Sequence, residues 1–228
     1  MVNNNIDSRA IGEAGDHAHT LAVVPLRDGH SGKSRLASMA SPSERTAIIG
    51  ALAHHVCGRL IRTPQIAEVL VVTNATDFAR DVLPADAKIT IAQQPDDRPG
   101  LNNAAMLGIE HGRLTGLERV LTIHADLPIL AVADVTALVT ARGDLVLGPD
   151  RYDNGTNAIA VNSALAGFEF LFGPASFQAH LRLGERLDAH TVVVRRDGLA
   201  LDLDTADDWR ALPDSIRGRL APSAHCDQ

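Results

Sequence analysis

In the stretch LALDLDTADDW the first two aspartates, Asp202 and Asp204, are separated by a single leucine. Residues two apart on a strand point to the same face, so this spacing sets two carboxylates side by side. A third, Asp126, ends the apolar run RVLTIHADLPIL, where Pro128 helps to stop the strand. Together they could hold Mg²⁺, which takes one or two carboxylates and fills its remaining positions with water and phosphate. The plainer alternative is that Asp202 or Asp204 caps a turn. Thr205 and Asp208 have the form of a capping box for a final helix. That accounts for those two residues and not for the pair before them, so metal binding is the favoured reading.

The complementary charge lies in LAVVPLRDGHSGKSRLA. Its Gly-Lys-Ser resembles a phosphate-binding P-loop, but the P-loop pattern requires a glycine where this chain has Arg27. A P-loop also passes directly into a helix. Here the better helix start is Ser41-Pro42-Ser43-Glu44, a capping box with proline at the first helical position. Lys33 and Arg35 therefore fall on a basic loop before that helix. Arg35 alone could be an ordinary solvated arginine. Three cations beside a glycine-rich turn, Arg27, Lys33 and Arg35, are better explained by phosphate, which arginine grips bidentately and lysine as a point charge.

A third group lies in DRYDNGTNAIAV and FEFLFGPASFQAH. Gly155-Thr156-Asn157 offers a turn with hydroxyl and amide groups, and Gly173-Pro174-Ala175-Ser176 precedes a helix whose N-terminal N–H groups would favour an anion. Local physics alone favours a simple turn at Gly173-Pro174 and a simple N-cap at Ser176.

Short apolar runs alternating with helical patterns must position these groups, which points to an α/β domain with a mostly parallel sheet flanked by helices. Strands are expected at 21–26, 68–73, 88–92, 119–124, 144–147, 158–162, 191–195 and 199–202. In such sheets ligands bind at the carboxyl ends of the strands. A helix from Ser43 to about Leu60 carries Ile48, Leu52, Val56 and Leu60 at four-residue intervals, one buried face. Asn102 is expected to cap a second helix with Ala105, Met106 and Ile109 inward, and a later helix runs over 176–187. The expected organisation is a disordered leader over 1–18, one domain over 19–213 with an insertion over 150–173, and a tail over 214–228.

Composition excludes several classes. With 228 residues and 45% hydrophobic content, the chain can bury one sizeable core. A formal net charge of −7 argues against nucleic acid as a partner. No run of about 18 apolar residues is present, which argues against a membrane partner, and the N-terminus lacks the basic start and apolar core of a signal peptide. The expected location is cytoplasmic. Cys57 and Cys226 suggest neither a disulfide framework nor a zinc site. His17 and His19 read as solvated.

The order VVPLR…GKSRLA, GLNNA, HADLPIL, GPDRYDNGTNA, FGPASFQAH and LDLDTADD resembles the CofC/FbiD guanylyltransferases of deazaflavin coenzyme F-420 biosynthesis, over roughly residues 21–212. The resemblance implies a single-domain, MobA-like, Rossmann-like nucleotidyltransferase. It would join GTP to a three-carbon phospho-acid (2-phospho-L-lactate, phosphoenolpyruvate or 3-phospho-D-glycerate) with release of pyrophosphate and use of Mg²⁺. It implies metal binding at Asp126, Asp202 and Asp204, and phospho-acid binding at Thr156, Gly173 and Ser176. Arg27 and Lys33 take the catalytic loop positions, Arg27 replacing a usual lysine. Leu101, Asn102 and Arg35 fall to the nucleotide side. The replacement at Arg27, with the polar groups Thr156, Asn157 and Ser176, suggests that 3-phosphoglycerate is accepted beside another acid. A homodimer is compatible with the sequence. The alternatives are a molybdopterin or sugar-phosphate nucleotidyltransferase on the same fold, and a catalytically silent GTP-binding regulatory module.

Overall fold

Alternation along the first strand shows how the chain is layered. Leu21 and Val23 pack into one apolar cluster with Ile109, Val161 and Phe177, whereas Ala22 and Val24 pack into another with Val56, Leu121 and Leu138. A strand buried on both faces needs helices on both sides, the condition of a parallel α/β sheet. The structure, a computed structural model, describes residues 19–27 and 34–221. Its strands are β1 (Thr20–Leu26), β2 (Ile66–Thr73), β3 (Ile89–Gln93), β4 (Arg119–Ile123), β5 (Leu145–Pro149), β6 (Thr156–Asn162) and β7 (Thr191–Val193). They form a seven-stranded sheet in the order β3-β2-β1-β4-β6-β5-β7. β1 pairs in parallel with β2 and β4, β2 with β3, and β5 with β7. β6 alone among these runs antiparallel, between β4 and β5.

This order creates the site. From β1 the chain moves outward to β2 and β3, then returns to lay β4 on the other side of β1, so the two strands diverge into a crevice at their carboxyl ends. Because β6 is antiparallel, its first residue, Thr156, reaches the same sheet edge that β4 reaches with its last.

Two helices flank the crevice. α1 (Pro42–Ile61) starts at the expected capping box: the Ser41 hydroxyl accepts from the Glu44 N–H at 3.3 Å, and the Glu44 carboxylate accepts from the Ser41 N–H at 2.7 Å. Ile48, Leu52, Val56 and Leu60 are all buried. α3 (Leu101–Thr115) begins at Gly100, whose φ of 92° favours glycine. It lies so close to β1 that a Cβ at Gly108 would sit 2.3 Å from Val23 Cγ2. The remaining helices are α2 (Thr76–Val82), α4 (Val132–Thr140), α5 (Ser176–Arg186), α6 (Asp197–Ala200), α7 (Ala206–Ala211) and α8 (Asp214–Leu220). α8 falls in the segment assigned to the tail from sequence, and its Leu220 is buried with Ile48 and Leu52 of α1.

Two sequence expectations are corrected. Residues 199–202 are not a strand. The N–H groups of Leu199 and Ala200 both donate to Arg196 O at 3.0 Å, closing the helical turn α6, and Leu199 enters the core. The two-residue periodicity of LALDLD reflects an extended segment after that turn, without a sheet ladder. Asn102 does not cap α3, because Gly100 holds the N-cap position.

Candidate active site

A cleft of about 660 Å³ opens at the carboxyl ends of β1 to β4. Arg27 lines it just beyond β1, Asn74 beyond β2, Gln94 beyond β3, and Asp126 beyond β4. Gly100 and Leu101 bring the N-terminus of α3 to the same wall, where unpaired helix N–H groups favour an anion. Asp204 lines it from the segment between α6 and α7. The cleft thus offers a guanidinium and a helix N-terminus for phosphate, and two carboxylates for a cation.

The Asp204 segment is held by specific bonds. Leu203 is buried, and its N–H donates to Asp126 O at 3.0 Å. The Asp204 N–H donates to the Asp208 carboxylate at 3.2 Å, and the Thr205 N–H and hydroxyl donate to the same oxygen at 2.8 Å each. This is the capping box expected from sequence, and Arg151 pairs with the other Asp208 oxygen. Burial opposes the Asp208 charge, yet the bonds from Thr205, Asp204 and Arg151 outweigh it and lower its pKa. A cap that looks purely structural therefore fixes the backbone of a cleft carboxylate.

Asp202 does not line the cleft. Among the described residues no group of three or more His, Cys, Asp or Glu side chains is placed to hold a metal ion, so the expected trio is not assembled. The pair Asp126 and Asp204 still fits Mg²⁺, whose preference is for one or two carboxylates with waters and substrate phosphates rather than an all-protein cage.

The third group comes together more tightly than local physics suggested. Ala175, with a left-handed φ of 55°, is the N-cap of α5, so Ser176 is not a cap. Its hydroxyl instead accepts from the Thr156 N–H at 3.0 Å, across β6 and α5. Gly173, with φ 141°, starts the turn into α5, and its carbonyl accepts from the Ser176 N–H at 3.2 Å. Thr156, Gly173 and Ser176 are thus neighbours. None of the three lines the cleft, and Thr156 and Ser176 are buried; the link is His124, a cleft residue whose N–H donates to Asn157 O at 3.0 Å and whose ring lies 5.1 Å from that of Phe172.

Other expected residues fall elsewhere. Lys33 lies outside the described residues. Arg35 is exposed, in a short 3-10 helix over Ser34–Leu36, and does not line the cleft. α1 starts only at Pro42, unlike the helix that directly follows a P-loop. The Asn102 side-chain amide is committed to Phe172, accepting from its N–H at 2.9 Å and donating to its carbonyl at 3.3 Å. Asn157 is buried, and its side-chain amide donates to Leu199 O at 2.8 Å. Sequence reading missed Asn74 and Gln94, although their places after β2 and β3 follow from the same strand-end rule that found Asp126. It also missed Asp150, whose carboxylate accepts from the N–H groups of Tyr152, Asn154 and Gly155 and shapes the turn into Thr156.

Residues 20–213 match the family model described as guanylyl transferase CofC like. The chain belongs to the CofC-like guanylyl transferase family. This guanylyltransferase is 33% identical over 210 residues to a phosphoenolpyruvate guanylyltransferase of Conexibacter woesei, spanning 90% of this chain and 92% of that one. It is 28% identical over 191 residues to a 2-phospho-L-lactate guanylyltransferase of Methanothermobacter thermautotrophicus, spanning 83% and 82%. Its fold matches the solved inositol-1-phosphate CTP transferase of T. maritima with a TM-score of 0.57, at 12% identity over 89% of this chain and 94% of that one. That likeness shows the fold alone, a single-domain, MobA-like, Rossmann-like α/β fold. No helix among the described residues is long and apolar enough to cross a membrane.

Proposed function

We propose that this guanylyltransferase joins the guanylyl group of GTP to phosphoenolpyruvate, with 2-phospho-L-lactate as the second acid. The observation that carries this reading is the crevice between β1 and β4, where Arg27, the α3 N-terminus and the carboxylates of Asp126 and Asp204 share one cleft. The name of the Conexibacter relative supports phosphoenolpyruvate.

A phosphate oxygen of the acid attacks the α-phosphorus of GTP in line. The new P–O bond forms as the bond from the α-phosphorus to the bridging oxygen breaks, and pyrophosphate leaves with that electron pair. The attacking oxygen is already ionised near neutral pH, so no general base is needed. Catalysis rests on positioning and charge neutralisation. Arg27, with Lys33 six positions further along the chain, neutralises phosphate. Leu101 lies on the nucleotide side, and Thr156, Gly173 and Ser176 hold the acid at the edge of β6. Asp126 and Asp204 would hold Mg²⁺; when bound, the ion would supply charge neutralisation at the phosphates. GTP as the donor suits a cytoplasmic setting.

The test is pyrophosphate release from GTP and Mg²⁺ with each of the three acids, separately and in competition. Release with phosphoenolpyruvate supports the reading. GTP binding without release in any mixture indicates a silent binding module instead.

A further inference from the structure

His180 is completely buried, one turn into α5, and both ring nitrogens are engaged. Nε2 lies 2.9 Å from the Leu171 backbone N, which can only donate. Nε2 is therefore the acceptor, and in the neutral ring the proton sits on Nδ1. Nδ1 lies 3.1 Å from Thr156 Oγ1, so the hydroxyl accepts and keeps its own hydrogen for another partner. Burial is the main cause that lowers the His180 pKa to about 4, with the Ser176 carbonyl opposing and His124 adding to it. The ring is thus neutral at working pH, as this bonding pattern requires.

The two contacts reach both halves of the acid-binding group. Thr156 is one member, and its N–H is bound by Ser176, another member. Leu171 leads through Phe172 into Gly173, the third. Phe172 is itself pinned by Asn102 from α3 and lies against the His180 ring at 5.4 Å between centroids. From this geometry we infer that His180 is a positioning residue for the phospho-acid: it holds Thr156 and the Leu171–Phe172 peptide so that buried Thr156 and Ser176 and the exposed Gly173 turn keep one preorganised arrangement. The inference rests on the reading that these three residues bind the acid. Preorganisation of this kind acts on the substrate whose contacts are aligned, so the effect belongs to the acid and not to GTP.

The two nitrogens can be tested separately. His180→Asn keeps a donor level with Nδ1 and loses the acceptor for Leu171. His180→Gln keeps an acceptor at the reach of Nε2 and loses the donor to Thr156. His180→Leu loses both. The expected result is a KM for phosphoenolpyruvate raised about tenfold or more by His180→Leu, with the KM for GTP within about twofold of the wild type. His180→Asn and His180→Gln should fall between the two. A merely structural role would lower the active fraction, and so kcat, without moving one KM selectively. That pattern, or an unchanged acid KM in folded His180→Leu, overturns the inference. Should His180→Leu fail to accumulate as folded protein, the Asn and Gln variants decide, and an unchanged acid KM in both overturns it. Thr156→Val separates this inference from the reading beneath it. If Thr156→Val raises the acid KM and the His180 variants do not, only the role of His180 fails. If Thr156→Val leaves the acid KM unchanged, the acid-binding reading fails and the inference with it.

Discussion

The N–H of Leu203 donates to the carbonyl of Asp126 at 3.0 Å, tying the segment that carries Asp204 to the end of β4. The capping box of α7 holds the other side of Asp204 through Asp208. Thr205→Ala should therefore cost about 1 kcal/mol of stability, the usual worth of an N-cap, and also lower kcat. Thermal melts and turnover measured on the same preparation check both effects. Lost stability with full kcat would separate the cap from the cleft.

Asp126→Asn and Asp204→Asn keep shape and remove charge. Each should lower kcat by about a hundredfold or more, as expected when charge neutralisation at transferring phosphates is lost. Their melting temperatures should stay close to the wild type, and excess EDTA should silence the wild-type enzyme. Undiminished turnover in chelator contradicts the assignment of Mg²⁺ to these carboxylates.

Arg27 lines the cleft as a cation beyond β1. Arg27→Ala should lower kcat/KM by about a hundredfold, whereas Arg27→Lys, which keeps the charge and changes the geometry, should cost about tenfold or less. Measuring each variant with all three acids shows whether the arginine sets preference as well as rate.

His180 also predicts a pH dependence of stability. Its pKa falls from 6.5 to about 4 on folding, burial being the main cause. Between these values the unfolded chain binds more protons, so stability is full above pH 6.5 and declines as pH drops toward 4. The whole shift is worth on the order of 3 kcal/mol. His55, also lowered to about 4 by burial first, adds in the same window. Urea midpoints should fall from pH 7 to pH 5, and His180→Gln should reduce the fall. Equal midpoints at both pH values contradict the buried neutral state.

Two glycines make a paired test of the packing. Gly108→Ala drives a methyl group into Val23 and should destabilise by about 1–3 kcal/mol. Gly58, inside α1, has nothing within 4 Å of an added Cβ, so Gly58→Ala should stabilise by about 0.5–1 kcal/mol. Denaturant curves decide both signs.

Residues whose role is set locally were legible in the sequence. The Ser41–Glu44 and Thr205–Asp208 capping boxes, the buried face of α1 and the strand end at Leu26 all follow from spacing and side-chain chemistry, and Asp126 lies three residues past the end of β4 at Ile123. The groups set by tertiary contacts were not. Ser176 has the chemistry of an N-cap, yet its hydroxyl serves Thr156 on another element. Asn102 stands at a helix start but pairs with Phe172, distant in sequence. The alternation of LALDLD matches a strand until Leu199 is drawn into the core by the turn at Arg196. His180 appears in sequence only as the end of FGPASFQAH, and its meaning depends on Leu171 and Thr156 being brought to either side of one ring. Cys57 followed the simple expectation: it is buried, and burial pushes its thiol up to about 12.

The most direct test of the central claim is the phosphorus NMR spectrum of a reaction holding the enzyme, GTP, Mg²⁺ and phosphoenolpyruvate. Coupled resonances of a new P–O–P linkage between the acid phosphate and the guanylyl phosphorus should grow in step with pyrophosphate and be absent when the acid is omitted. GDP and inorganic phosphate as the products, or pyrophosphate with free GMP and unchanged phosphoenolpyruvate, would contradict that claim.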